Sequence, residues 1–241
     1  MSTTEPARGA AEDQEELAGY GDWDALSARL AGVIERARGV APSEEIAASF
    51  ASIADAPLAT PGPLGRCGDA RFRALVGATF AADLACYAEP RDQVSFDRLL
   101  DAMRAFPHGF RLWGAKIAGA AWLPLGYTGV VPIAAETFER LERGTASLAG
   151  PAITALPAVE PGGSFLYLFN FSVVPGLRGT AMAARVVKGL ADDVAQTPHR
   201  GLAALTVSRD GERVAERFGM EARGREGGAA MHETAFTCRV R

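Results

Sequence analysis

The chain has 241 residues, of which 48% are hydrophobic and 22% charged, and its formal net charge is −4 at pH 7. This composition is typical of one large globular domain, or of a domain with an N-terminal annex. The negative charge gives no indication of binding to a nucleic acid or to an anionic membrane. The three cysteines form no CxxC pair, so neither a disulfide framework nor a metal site is predicted.

The N-terminus contains no apolar core of a signal peptide, and residues 1–20 are small, polar and acidic. We predict that these residues are disordered. No apolar run approaches the roughly 18 residues that a membrane span requires. The expected location is the cytoplasm, whose reducing conditions suit an odd number of cysteines.

The first hundred residues are predicted to be mainly helical. A helix is expected from Asp22, whose carboxylate can cap it, to Gly39. A weaker helical stretch follows over 43–54. The run 56–68 contains three prolines and three glycines and is predicted to be a loop.

Two further helices precede a change in the pattern of the sequence. One spans 69–87, with apolar side chains near a four-residue spacing and with Cys86, which we expect to be buried, near its end. The other is capped by Ser95. We therefore predict an N-terminal helical region over 21–107, followed by a core over 108–241.

The core opens with a predicted β-hairpin over 110–125, whose turn is expected at 114–116. Pro132 is predicted to occupy the first position of a helix. Residues 127–163 are interpreted as an insert, of which 144–163 is a long loop rich in Gly, Pro and Ala. Such a connection is either a lid or substrate wall or a tolerated surface insertion, and the sequence does not choose between them.

The strongest local signal is a strand followed by a loop and a helix. Apolar residues occupy both faces of the strand 165–174, with an aromatic row on one face and with Asn170 and Ser172 near the end of the other. This pattern predicts a buried central strand. Pro175 ends it, and the small residues after Arg178 open a helix. The unpaired N–H groups and the dipole of a helix N-terminus favour a bound phosphate, to which an arginine can add a charge-assisted contact.

Three more elements complete the predicted core. A short strand begins at Gly201. A helix capped by Asp210 and ended by Gly219 follows it. A closing strand is predicted over 230–240.

The motifs of this region resemble those of the GCN5-related N-acetyltransferase (GNAT) superfamily. The family's loop pattern is Arg or Gln, Gly, any residue, Gly or Ala, any residue, Gly or Ala, and it stands here as RGTAMA at 178–183. The segment 218–220 (FGM) is similar to the Leu-Gly-Phe ending of the helix that follows the next strand in the family. The segment 116–123 (KIAGAAWL) resembles a family strand that reads Gly, small, small, aromatic.

The resemblance implies an α/β (α+β) protein of the GNAT fold, with a mixed, splayed central sheet flanked by helices and an N-terminal helical extension. It further implies that acetyl-CoA or another acyl-CoA lies where the central strand and its neighbour part. Backbone groups at 173 and 174 would then hold the pantetheine arm, and the loop would hold the pyrophosphate. The implied cofactor-binding residues are Val173, Val174, Arg178, Gly179, Thr180, Ala181, Met182, Ala183 and Ser208.

The positions of the family's usual catalytic groups carry different residues here. The tyrosine that often serves as the acid is Ala215, and the asparagine often found seven residues earlier is Ser208. The catalytic candidates are therefore His232, on the closing strand, and the pair Asn170 and Ser172. Each candidate has a structural alternative, because a histidine in a strand can be a hydrogen-bonded core residue and the polar pair can cap a bulge.

Five other residues are weaker candidates or are assigned to the structure. His108 is a second histidine that could act as a base. Tyr127 is expected either to line the acceptor pocket or to lie on the surface. Tyr167 is assigned to the core, and Glu136 and Glu139 to the solvent-exposed side of a helix.

The leading functional hypothesis is an acyl-CoA-dependent N-acyltransferase that transfers an acetyl or other acyl group directly to an amine of a small molecule or a protein. One alternative keeps the fold and uses a carrier-protein thioester, or carries out another thioester reaction such as decarboxylation. Another is a non-catalytic regulator that binds CoA. The resemblance allows a homodimer, and no nucleic-acid or membrane partner is predicted.

Overall fold

The computed structural model describes residues 23–52, 70–117, 122–146, 153–223 and 233–240. Strands form one sheet through this part of the chain. In chain order they are β1 (Ala51–Ser52), β2 (Phe110–Lys116), β3 (Trp122–Ile133), β4 (Ser164–Val173), β5 (His199–Thr206), β6 (Glu221–Ala222) and β7 (Thr234–Arg239). Their order in the sheet is β1-β2-β3-β4-β5-β7-β6.

Helices cover both faces of the sheet. In chain order they are α1 (Trp23–Arg38), α2 (Glu44–Ser49), α3 (Ala70–Cys86), α4 (Phe96–Ala105), α5 (Ala135–Glu142), α6 (Ala181–Gln196) and α7 (Arg209–Arg217). Among the described residues, no helix is both long enough and apolar enough to cross a membrane.

At the start of several helices, a hydroxyl side chain accepts a hydrogen bond from a free backbone amide. Ser95 caps α4 as the sequence predicted, and Thr180 caps α6 through the amide of Met182 (3.2 Å). The predicted cap of α7 was wrong. Ser208 caps this helix by accepting from the amide of Gly211 (3.1 Å), because its backbone is extended.

The sheet is antiparallel except between β4 and β5, which are parallel. These two central strands pair only as far as Leu168 opposite Ala204. Beyond this point β4 continues to Val173, whereas β5 continues to Thr206 in contact with β7. Among the described residues, the end of β4 therefore has a partner strand on one side, β3, and none on the side that β5 has left, which is called the open edge.

The two faces of the sheet bury different apolar side chains. Phe165, Tyr167 and Phe169 pack with α3, α4 and α5 in one cluster. Leu166 and Leu168 pack with α6 and α7 in another. The predicted alternation of strand β4 and its central, buried position are therefore confirmed for this first part of the strand.

A β-bulge reverses the alternation in the second part of β4. Asn170 lies opposite Gly129 and Leu168 opposite Val130, so Phe169 is an extra residue on β4. After the bulge, Asn170 and Ser172 face α3, on the same side as the aromatic row. This polar pair was predicted on the opposite face, which was wrong because the alternation of an unbroken strand does not continue past the bulge.

The N-terminal helical region is joined to the sheet. Residues 51–52 of the helical stretch predicted over 43–54 are instead strand β1, in which Ala51 pairs with Gly114 of β2, and 53–54 lie outside the described residues. Phe50 stacks on Trp113 with ring centroids 5.8 Å apart. Arg185 of α6 also donates to the carbonyl of Phe50 (2.6 Å). These contacts fix the helical region against one end of the sheet.

The hairpin was predicted with the wrong turn. Gly114 and Lys116, expected in the turn, lie inside β2, and β3 is described from Trp122 onward. Residues 118–121 lie outside the described part of the chain.

The helix predicted to begin at Pro132 was also wrong, because this proline lies in β3 opposite Leu166. The carbonyl of Pro132 points away from β4 and accepts a hydrogen bond from the amide of Leu156 (2.8 Å). In an antiparallel strand the N–H of a residue points to the same side as its C=O, so the N–H that proline lacks would not have bonded to β4. The helix starts after Ala134 instead.

Other expectations agree with the structure. The helix predicted over 69–87 is α3, and α7 ends before Gly219, whose φ is +74°. Residues 143–146 and 153–163 contain neither a helix nor a strand, whereas 127–133 of the predicted insert belong to β3. The predicted tail 1–20, Asp22, the loop 56–68 and His232 lie outside the described residues.

Candidate functional site

The open edge of β4 is the first part of the candidate site. Val174 donates its amide to the carbonyl of Leu125 in β3 (2.9 Å), and its own carbonyl accepts from Leu177 (3.0 Å). Because peptide groups alternate in direction along a strand, those of Val173 point the other way, toward the open edge. Of the two residues expected to bind a ligand through the backbone, Val173 has an amide that faces the open edge, although its carbonyl accepts from Nε of Arg178 (3.4 Å). Both backbone groups of Val174 are bonded within the chain.

The loop after β4 and the first turn of α6 form the second part. Gly179 has a φ of +72°, and a Cβ at this position would meet no atom within 4 Å. The amides of Gly179, Ala181 and Ala183 have no acceptor among the described residues, whereas that of Met182 is bound by Thr180. Free amides at the start of a 16-residue helix, with the positive end of its dipole, favour an anion here.

Arg178 and Met182 contribute differently from the expectation. The Arg178 guanidinium donates through Nη2 to the carbonyl of Cys86 (2.6 Å) and through Nε to that of Val173 (3.4 Å). It therefore ties the loop to the C-terminal end of α3 instead of pointing into the group of free amides. The Met182 side chain is buried in the core.

Tyr167 closes the inner end of the open edge, where β4 and β5 begin to part. Its buried hydroxyl interacts with the amide of Leu205 on β5 and with the Arg98 side chain from α4. Burial raises the pKa of this tyrosine, and the positive charge of Arg98 opposes the rise. The Arg98 guanidinium also lies 5.5 Å from the ring centre of Phe169. Tyr167 is thus in the core, as predicted.

A buried carboxyl group lies beside the bulge of β4. Oδ1 of Asp83, in α3, accepts from the hydroxyl of Tyr127 (2.8 Å) and from the amide of Asn170 (3.2 Å). Oδ2 accepts from the backbone amide of Val94 (2.9 Å). Burial raises the pKa of Asp83 to about 7, although the hydrogen bonds from Tyr127 and Val94 oppose this rise.

Tyr87 extends this cluster toward the end of α3. Its hydroxyl donates to Oδ1 of Asn170 (3.0 Å). The Ser172 hydroxyl is buried next to the Cys86 thiol and the Tyr87 hydroxyl, without a hydrogen bond of normal geometry to either. Burial raises the pKa of Cys86 to about 12, so its thiol stays protonated near neutral pH.

Sequence reasoning missed Asp83 and Tyr87. The sequence did contain a signal for Asp83, because it is the single acid in the apolar stretch ATFAADLAC. An acid in such a stretch is predicted to be buried, and a buried acid is rare unless it has bonding partners. Tyr127, which was expected in a pocket wall or on the surface, is fully buried. The reason is that its ring belongs to the core and its hydroxyl binds Asp83.

The remaining candidates lie apart from these groups. His108 is exposed in a short turn before β2, and Glu136 and Glu139 are exposed on α5 as predicted. The Ser208 hydroxyl is used as the cap of α7. Ala215, at the position of the family's tyrosine, is completely buried.

No protein-family model and no curated protein matches the sequence. Solved structures do match. The GNAT-like decarboxylase GphF, in complex with isobutyryl-CoA, is 16% identical, with a TM-score of 0.50 over 70% of this chain and 96% of the other. The loading GNATL domain of CurA from Lyngbya majuscula is 12% identical, with a TM-score of 0.50 over 68% and 92% of the two chains.

The chain has the GNAT fold. The mixed sheet with parted central strands is the feature that the resemblance in sequence implied, and it is confirmed. In this GNAT fold the RGTAMA segment begins in the loop after β4 and continues into the first turn of α6, next to the open edge. A structure of the NatC complex bound to Gag peptide and CoA also matches, with 13% identity and a TM-score of 0.47 over 80% of this chain and 99% of the other.

Proposed function

We propose that this protein binds an acyl-CoA and transfers its acyl group directly to an amine. The observation that carries the proposal is the position of the free amides of Gly179, Ala181 and Ala183 beside the unpaired edge of β4. An anion site and a strand edge that its neighbour β5 has left, side by side, match a ligand with a pyrophosphate and an amide-containing arm. The presence of isobutyryl-CoA in the GphF structure supports the same ligand class.

The proposed binding mode assigns each part of the ligand to a different group of the chain. The amides at the start of α6 bind the pyrophosphate, and the absence of side chains larger than methyl at 179, 181 and 183 lets it approach the backbone. The amide of Val173 binds the pantetheine arm. The acyl end then lies near Tyr167, at the point where the strands begin to part.

The proposed reaction is a single transfer without a covalent enzyme intermediate. The nitrogen of a neutral amine attacks the thioester carbonyl and forms the C–N bond, while the C–S bond breaks. The nitrogen loses one proton, and the CoA sulfur leaves and takes up one proton. The amine belongs to a small molecule or to a protein. Asn170 and Ser172 remain candidates for orienting the substrate, and His232 remains the candidate base.

A second reaction on the same site has one observation in its favour. The position at which the family often carries its acid is Ala215, and it is closed off in the core between α7 and the sheet. A site without that acid is compatible with decarboxylation of an acyl thioester, or with transfer from a phosphopantetheinyl carrier protein. A requirement for a carrier-protein donor, or release of carbon dioxide from a malonyl-type thioester, would select this reaction.

Calorimetric titration with acetyl-CoA, isobutyryl-CoA and free CoA tests the proposed site. Gly179→Glu places a carboxylate among the free amides and should abolish binding. Gly219→Glu is the matched control, because Gly219 also has a positive φ (+74°) and no atom within 4 Å of a Cβ. The control should bind as the wild type does. Equal affinity of both variants and the wild type would refute the assigned site, and wild-type turnover with an amine would exclude a purely regulatory role.

A further inference from the structure

The hydrogen bonds around Asp83 all run in one direction. Tyr87 donates to Asn170, Asn170 donates to Asp83, and Tyr127 and the amide of Val94 donate to Asp83 as well. A carboxylate can accept all of these bonds, because it has acceptor positions on both oxygens. A protonated carboxyl group must donate one bond itself, and the neighbours that surround it are already donors. The arrangement is therefore complete only when Asp83 is ionised.

The ionised carboxylate also fixes the orientation of its neighbours. Because Nδ2 of Asn170 faces Asp83, Oδ1 of Asn170 faces Tyr87 and holds the hydrogen of its hydroxyl. The oxygen of Tyr87 keeps its lone pairs for other partners. Protonation of Asp83 weakens the hydrogen bond that holds Asn170 in this orientation, because the amide then no longer donates to an anion.

This cluster is connected to both parts of the proposed ligand site. Asn170 and Ser172 belong to the stretch of β4 that has lost β5 as a partner. The backbone carbonyl of Cys86, at the end of the same helix as Asp83, accepts a hydrogen bond from the guanidinium of Arg178 in the loop. The helix α3 thus joins the loop at the start of α6 to the open stretch of β4.

We propose that Asp83 is a positioning residue for the acyl transfer, which orients the Asn170 amide and the Tyr87 hydroxyl beside the open stretch of β4 only while it is ionised. This inference rests on the proposed function, because it assigns the reaction to that stretch. Asp83 does not touch the substrate, since its side chain is completely buried. It acts through Asn170 and Tyr87.

Asp83 is the group of this cluster that changes charge near neutral pH. The titratable groups that interact with it are Tyr127 from β3, Cys86 at the end of α3 and Tyr87 directly after it. Arg178 from the loop interacts in turn with Cys86 and Tyr87. Burial raises the pKa of both tyrosines and of the cysteine, so these stay neutral when Asp83 ionises. The transfer rate should therefore rise with the ionisation of Asp83.

The test compares the pH dependence of CoA release from acetyl-CoA, with an amine panel as acceptors, in the wild type and in Asp83→Asn. The ratio of the two rates cancels the titration of the acceptor amine. We expect this ratio to rise through an apparent pKa of about 7 and to reach about tenfold or more, with an unchanged Kd for acetyl-CoA. Asp101→Asn, at an exposed acid on α4, is the control and should keep the wild-type profile.

A second variant keeps the inference testable if Asp83→Asn does not fold. Tyr127→Phe removes a hydrogen bond that lowers the pKa of Asp83, so the wild-type profile should move to higher pH. A rate ratio that does not change with pH, or an unmoved profile in Tyr127→Phe, would overturn the role of Asp83. Acetyl-CoA binding without any thioester turnover would also overturn it and leave the binding site intact. A wild type that binds no acyl-CoA would overturn the proposed function itself.

Discussion

The stability of the protein should depend on pH through Asp83, and Asp83→Asn should remove that dependence. The ordinary pKa of the carboxyl group is 3.8, and burial raises it to about 7 in the folded chain. Below about pH 4 the group is protonated in both the folded and the unfolded chain. Above about pH 7 it is ionised in both, and the folded chain then contains a buried charge. The free energy of unfolding should therefore fall as the pH rises through this window.

The magnitude follows from the difference between the two pKa values. About three units, at about 1.4 kcal/mol per unit, correspond to a loss of about 4 kcal/mol over the whole window. Between about pH 5 and about pH 8 the linkage relation gives a loss of about 2.5 kcal/mol. In Asp83→Asn the new amide can still accept from Tyr127 and Asn170, but its NH₂ group faces the amide of Val94. A protonated Asp83 likewise carries a hydroxyl among these donors, so at low pH the wild type and the variant lack an equivalent hydrogen bond.

Urea unfolding across this pH range measures this loss. The free energy of unfolding of the wild type, relative to that of Asp83→Asn, should fall by about 2.5 kcal/mol between about pH 5 and about pH 8. The exposed acid Asp101 again provides the control, because Asp101→Asn changes the same charge on the surface. A difference between wild type and Asp83→Asn that stays constant with pH would refute the buried, near-neutral carboxyl group.

Two further predictions concern the framework of the site. Gly126→Ala should destabilise the fold by about 2 kcal/mol or more in urea, because the new Cβ would lie 2.3 Å from the carbonyl oxygen of Ser172. Gly77→Ala, with no atom within 4 Å of its Cβ, should be neutral or stabilising by up to about 1 kcal/mol, and equal losses would contradict the packing. Arg178→Ala should cost about 1–3 kcal/mol, since the carbonyl of Cys86 loses its charged donor, and should weaken acyl-CoA binding by loosening the loop. Unchanged stability would show that this contact is not formed in solution.

Much of the fold could be predicted from local patterns. The strand β4 and the helix α6 were found because apolar residues on both faces, a proline break and small residues at a helix start are signals within a few residues of each other. The hairpin turn and Pro132 were wrong for a non-local reason. Pro132 sits in a strand because its missing N–H faces the side away from β4, and only the arrangement of the sheet reveals this.

The site was predicted only in part for the same reason. The RGTAMA loop is contiguous in sequence, and the structure places its free amides beside the open edge. The cluster around Asp83 joins residues 44 and 87 positions apart, and the bulge at Phe169 turns Asn170 toward it. A one-residue shift in a strand reverses which face a side chain occupies, and periodicity alone does not show such a shift.

The most direct test of the central claim is the change in backbone amide NMR signals on adding acetyl-CoA to the ¹⁵N-labelled protein. We expect the largest shifts at Val173, Gly179, Ala181 and Ala183, whose amides face the open edge or lie free at the start of α6. The amide of Val174, which is bound to Leu125, should shift less. Saturable shifts elsewhere with none at these four residues, or no shifts at all in the folded protein, would contradict the assigned acyl-CoA site.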